Sequence, residues 1–221
     1  MRRLLRDNGL SITMFGLFLV LLVMQSLTGW RTDNQDNQEH RQPTESYASY
    51  LTSAHFLEAT AENWESEFLQ MAAYVVLTAL LFQKGSPESK DPDGEEPVDQ
   101  DPRRQRDNPN APGPVRRGGF ALTVYEHSLS LAMAALFLVS FLLHAIGGHG
   151  EYNQQQLAHG EAPVSLLGFM TSAQFWFQSF QNWQSEFLAV AALTVLGIFL
   201  RERGSPESKP VAAPHAETGS A

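Results

Sequence analysis

Two carboxylates pose the chemical question in this chain. Glu67 and Glu186 stand in the same seven-residue motif, Asn-Trp-x-Ser-Glu-Phe-Leu, at Asn63–Leu69 and Asn182–Leu188. Asn63 and Asn182 lie one helical turn before the acids, on the same face, and Ser66 and Ser185 are adjacent to them. An apolar run follows each motif, so both acids stand near the end of a segment that prefers oil. Glu67 precedes Gln83 by 16 residues, about 24 Å of helix at 1.5 Å per residue. A hydrocarbon core of about 30 Å then places the carboxylate near one boundary. An ionised acid at mid-membrane costs about 2.5–3.5 kcal/mol, and less near the edge. Two uses compete. One is a helix-start carboxylate that satisfies free N–H groups and hydrogen-bonds between the halves. The other is a carboxylate pair lining an entry for protons or cations. The first is the expected one. Glu58, Glu62 and Glu65 carry less weight, because Phe177, Gln181 and Gln184 stand at the corresponding positions.

Other candidates are sparser. Gln25 and His144 occupy equivalent places in two long apolar runs, and each is expected to face another helix rather than lipid. His40 and His159 recur in loop segments, but no close ligand spacing supports a metal there. A Gly-rich phosphate loop, His-Glu-x-x-His and Gly-x-Ser-x-Gly are all missing from the sequence. The chain has no cysteine, which removes disulfides, thiolate metal sites and thiol nucleophiles. The expectation is no catalytic residue, no metal, no cofactor and a non-enzymatic protein. A net charge of −9 argues against a nucleic-acid partner, which needs a basic surface.

The elements that position these residues come in pairs. Residues 4–90 match residues 123–209 at a constant offset of 119, without a gap. Leu17–Val20 recurs as Leu136–Val139, Thr52–Ala54 as Thr171–Ala173, and Gly85–Lys90 as Gly204–Lys209. Each half holds a 20-residue run without Asp, Glu, Lys or Arg, Leu10–Gly29 and Leu129–Gly148. That length suits a membrane-crossing helix. Phe68–Phe82 and Phe187–Leu200 are shorter, at 15 and 14 residues. Their repetition beside a long run makes each half a hairpin of two spans. The first run is read as a span rather than a cleaved signal peptide, because the second half repeats it in full.

Basic residues orient the hairpins. Thirteen of the 15 Lys and Arg fall before the first span, between the second and third, or after the fourth. The positive-inside rule then puts both termini and the centre of the chain in the cytoplasm. Two spans per half make the repeats parallel rather than inverted.

Trp176, Phe180, Trp183 and Phe187 fall on one helical face, as do Leu57, Ala61, Trp64 and Phe68. An amphipathic helix at the outer surface is expected to run into the short span, or to lie flat before it. Trp30, Trp64, Trp176 and Trp183 suit interfacial anchors, having an apolar ring and an N–H that wants a wet partner. Gly85 and Gly204, with Pro87 and Pro206 two residues on, read as helix stops. Residues 91–119 are rich in Pro, Gly, Asp and Arg and read as a flexible cytoplasmic linker.

Several segments together resemble a known family. These are Arg6–Ser11, Leu27–Trp30, the run from Phe56 to Tyr74, and the Gly-Ser-Pro-Glu-Ser-Lys ends. They look like a bacterial multi-pass membrane-protein family catalogued only as a domain of unknown function. The resemblance covers nearly the whole chain and implies a membrane location, with no activity or cofactor to carry over.

The expected fold is therefore an all-α integral membrane protein of four transmembrane helices, two parallel tandem hairpins with amphipathic outer helices. The first repeat is 1–90, with spans near 10–29 and 66–83. The linker is 91–119. The second repeat is 120–209, with spans near 129–148 and 185–201, and 210–221 is a disordered tail. The expected role is a structural or partner-binding component of a bacterial inner membrane. Its expected partners are the lipid bilayer and a membrane protein or a second copy of the chain.

Overall fold

A computed structural model describes residues 2–218, with side chains from Arg6 onward. The side chains of Arg2 and Arg3, counted above among the orienting cations, lie outside the described part, as do tail residues 219–221. The described residues are all helix, turn and loop, with no strand. Eight α-helices follow in order: α1 (Arg2–Glu39), α2 (Tyr47–Tyr50), α3 (Ala54–Leu80), α4 (Gly113–Arg117), α5 (Gly119–Glu126), α6 (Ser128–Ala158), α7 (Leu166–Met170) and α8 (Ala173–Phe199).

Three of these, α1, α6 and α8, are long and apolar enough to cross a membrane. The fourth expected span, α3, is not. It matches α8 in length at 27 residues, but Glu58, Glu62, Glu65 and Glu67 occupy its first half and the helix ends at Leu80. Only Phe68–Leu80 remains apolar, about 20 Å of helix. In α8, Phe177, Gln181 and Gln184 replace three of those acids, so the second copy qualifies and the first does not.

The segments expected as outer amphipathic helices run without a break into those expected as short spans, forming α3 and α8. Ser53 caps α3 by accepting the Phe56 N–H at 3.1 Å, and Ser172 caps α8 by accepting the Phe175 N–H at 3.2 Å. A break in helical geometry at Asn8 (φ −132°, ψ 18°) splits α1 near its start. His127, 119 residues later, separates α5 from α6 with similar angles (φ −108°, ψ 14°).

The chain divides into two compact units. Unit 1 comprises residues 1–61 and 142–175, and unit 2 comprises residues 62–141 and 176–221.

Unit 1 is held by small residues and a backbone clamp. A Cβ on Gly147 would meet the Glu58 backbone N at 2.6 Å, and one on Gly150 would meet the Ala54 Cβ at 2.7 Å. α6 and α3 therefore touch backbone to backbone, which only glycine permits. Tyr50 covers Gly29, and Phe169 likewise covers Gly148. The loop after α1 is clamped by Asn34, whose Nδ2 donates to Glu45 O (2.9 Å) while its Oδ1 accepts from Glu45 N (2.7 Å). Asn153 clamps Val164 in the same way, at 3.1 and 2.8 Å.

In unit 2, Ala111, Val115 and Leu122 form a small apolar cluster. Residues 91–119, expected to be a flexible linker, contain two single-turn 3-10 helices at Pro97–Asp99 and Pro102–Gln105 and the short α4. Lys84–Asp93 and Lys90–Asp99 ion pairs tie this segment to the end of α3.

Candidate functional site

The polar side chains inside the long helices fall in three places. In unit 1, Gln25 on α1 reaches α3. Its Nε2 lies 3.4 Å from the Thr60 hydroxyl and 3.5 Å from Ala59 O, both long contacts. His144, fully buried on α6, stacks on Phe175 with ring centroids 4.9 Å apart and planes 24° apart. Each residue thus faces another helix. Glu58 also comes close, with a carboxylate oxygen within 4.8 Å of a His144 ring nitrogen.

The second place is the α3–α8 seam of unit 2. Trp183 Nε1 donates to Glu65 Oε1 at 2.9 Å, and Asn182 Nδ2 donates to Glu62 Oε1. Glu65 is fully buried. A buried carboxylate needs donors, and an indole N–H needs an acceptor, so each satisfies the other. Glu67 is exposed and Glu186 half-buried, and the two lie within electrostatic reach of each other. Ser66 and Ser185 turn back on their own helices, each donating at 2.8 Å to the carbonyl three residues earlier, Asn63 O and Asn182 O.

The acids that join α3 to α8 are therefore Glu62 and Glu65, which sequence reasoning set aside for want of a counterpart. A usable signal was present. Across a parallel pair of repeated helices, complementary partners need an acceptor in one copy and a donor in the other. Non-identity within an otherwise duplicated motif marks such positions.

The tryptophans serve different ends. Trp30 Nε1 donates to Glu45 O at 2.8 Å and its ring meets Tyr47 edge-on at 5.8 Å, so it helps clamp the loop after α1. His149 makes the matching contact with Val164 O at 2.8 Å. Trp176, Phe180 and Trp183 form an aromatic cluster on α8, with centroids 5.3–6.2 Å apart. Trp64 is half-buried on α3. His40 and His159 each contact the carbonyl four residues earlier on their helices, at 2.9 and 2.8 Å, as C-terminal caps.

The third place, also in unit 2, is formed by the Gly-Ser-Pro-Glu-Ser-Lys ends. Gly85 and Gly204, expected as helix stops, instead adopt left-handed backbone (φ 93° and 89°) in turns five residues beyond the ends of α3 and α8 at Leu80 and Phe199. Ser89 Oγ accepts from Gln83 N and Ser208 Oγ from Glu202 N, both at 2.7 Å. On this shared backbone the side chains diverge. The Tyr74 hydroxyl donates to Glu88 Oε2 at 2.9 Å, and Glu207 stands near enough to act on Glu88 electrostatically. Burial, then the neighbouring Glu207, raises the Glu88 carboxyl above the usual carboxylate range, while the Tyr74 bond opposes the rise. Lys90 pairs with Asp99 at 2.6 Å, whereas Lys209 is nearly buried and donates to Pro214 O and His215 O. Burial and the neighbouring Arg201 push Lys209 below the usual lysine range.

No curated protein and no solved structure matches the chain. One family does, over residues 1–220, and it is described as a domain of unknown function. The match spans nearly the whole chain, which therefore belongs to that family, Domain of unknown function (DUF6766).

Proposed function

We propose that the chain is a four-span membrane component without catalytic activity, whose role is assembly or partner binding in a bacterial inner membrane. Its two halves are a tandem duplication of one helix hairpin, with both termini and residues 91–119 in the cytoplasm. α3 is the fourth span despite its acids. The observation that carries this reading is the use of Glu62 and Glu65, which accept hydrogen bonds from Asn182 and Trp183 of α8. An acid satisfied by a neighbouring helix costs less to place near a membrane boundary than one facing lipid. Large apolar side chains along α1, including Leu10, Phe15, Leu19 and Leu21, are exposed, as a lipid- or partner-facing surface requires.

Transport is the second reading, favoured by the electrostatic proximity of Glu67 and Glu186. Purified protein in liposomes separates the two. The assembly reading expects no proton or cation flux, together with cross-linking in native membranes to a defined partner or a second copy. Flux that Glu67→Gln with Glu186→Gln abolishes, while leaving the fold intact, would overturn it.

A further inference from the structure

Unit 2 contains a cavity of about 380 Å³ between α3 and α8 that none of the roles above uses. Its walls are apolar, from Leu77, Leu81, Phe187, Val190 and Val195, and few polar groups reach it. An apolar pocket with a few convergent polar groups is the usual form of a small-molecule site. Gln70, only 4% exposed, lines it with an Nε2 that has no hydrogen-bond partner. Glu88 lines it too, and its Oε1 is buried without a donor.

The charge pattern specifies what is missing. Glu207 acts on Glu88 electrostatically, and the buried Glu88 Oε1 has no donor, so a cation placed there would relieve like charge. Tyr74 from α3 faces Glu88, and Glu207 faces it from the turn after α8. The nearby cations are engaged elsewhere. Lys84 pairs with Asp93, Lys90 with Asp99, Lys209 with tail carbonyls, and Arg201 with the carbonyls of Gly197, Ile198 and Leu200. Among the described residues no ion pair reaches Glu88 or Glu207.

We propose that this cavity binds an amphiphilic cation, with a protonated amine at Glu88 Oε1 and an aliphatic body along the α3–α8 wall. The amine donates to Glu88 Oε1, and Glu207, outside the cavity lining, adds its charge. The unmatched Gln70 amide, also in the lining, selects bodies that carry an oxygen acceptor. Proton and amine compete for one position, so affinity falls as the pH falls.

Octylammonium is a suitable probe, with octanol as its uncharged control, in equilibrium dialysis against the full chain in lipid nanodiscs. The expected result is saturable binding of octylammonium but not of octanol, weakening as the pH falls and Glu88, raised above the usual carboxylate range, takes up a proton. Glu88→Gln and Glu207→Gln should each weaken it about tenfold or more. Val190→Trp, which fills the cavity and leaves both acids in place, should abolish it, and circular dichroism checks that each variant is folded. Binding that is non-saturable, that octanol matches, or that folded Glu88→Gln and Glu207→Gln proteins retain would overturn the proposal. None of these outcomes depends on whether the chain has a protein partner.

Discussion

The loops of unit 1 and the helix ends of unit 2 treat the duplication in opposite ways. In the loops, different residues make the same bonds. Trp30 and His149 both reach the carbonyl of the clamped residue, which is Glu45 in one copy and Val164 in the other. Tyr50 and Phe169 cover Gly29 and Gly148 alike. At the helix ends, the same residues make different bonds. Lys90 forms an ion pair while Lys209 is enclosed by tail carbonyls, and Glu88 is tied to a tyrosine while Glu207 is exposed. The contacts that persist run mainly to backbone atoms, which every residue supplies. The contacts that differ run largely between side chains. Duplicated backbone therefore provides the scaffold, and the divergent side chains of unit 2 are where a specific role can arise.

The severest challenge to that scaffold is steric. Gly147→Val drives a side chain into the Glu58 backbone, and helix backbones yield little. Thermal unfolding of the full chain in detergent should show a loss of about 3 kcal/mol or more. Near-wild-type stability would mean that the α6–α3 contact contributes little.

The loop clamps give a test of equivalence. Asn34→Ala and Asn153→Ala each remove a donor and an acceptor from a loop backbone. Each should cost about 1–2 kcal/mol, and the two costs should agree. The α3–α8 seam gives a test of asymmetry. A double-mutant cycle of Glu62→Gln and Asn182→Ala should show coupling of about 1 kcal/mol, within the range for helix pairs in membranes. Zero coupling would remove the seam from the account.

Alkaline titration distinguishes the two loops chemically. Burial, then the charges of Asp33, Glu45 and Glu151, pushes the Tyr50 phenol up to about 12. An acid whose folded value is raised is held neutral by the fold. Its contribution is complete below the unfolded value of about 10 and is lost as the pH rises through about 12. Amide exchange near Tyr50 should therefore accelerate across that window, and Tyr50→Phe should abolish the step. The Phe169 loop has no phenol at the matching place and should not respond. The smallest effect expected is at Arg41, which holds left-handed backbone (φ 57°) where the second copy has Gly160 (φ 76°). Arg41→Gly should stabilise the chain by about 0.5–1 kcal/mol.

The all-helical architecture could be read from the sequence, because apolar runs act locally, but the helices overrun the expected spans: α1 covers Arg2–Glu39 against 10–29, and α3 covers Ala54–Leu80 against 66–83. The 119-residue offset also foretold the matching lengths of α3 and α8. The apolarity of α3 was misjudged. Its likeness to α8 was weighed above its own four glutamates, although each charge adds its full cost whatever the other copy contains. Gln25 and His144 each lie against another helix, since a polar group in an apolar run has few other options. Glu62, Glu65 and the Tyr74–Glu88–Glu207 group were not foreseen. Their significance comes from which side chain of one helix meets which of another, and no spacing within one helix encodes that. The Asn34 and Asn153 clamps were missed because asparagine in a polar loop gives no periodic signal, although their recurrence at the common offset could have revealed them.

The proposed four-span topology requires α3 to cross the bilayer with α1, α6 and α8, the three helices long and apolar enough by themselves. The chain has no cysteine, so Thr44→Cys, Gln100→Cys, Glu161→Cys and Ala216→Cys can each be introduced alone and treated with a membrane-impermeant maleimide in intact cells. Four spans predict labelling at positions 44 and 161 from outside, and at 100 and 216 only after permeabilisation. Labelling at 100 without permeabilisation, together with protection at 161, would mean that α3 does not cross and would contradict the account.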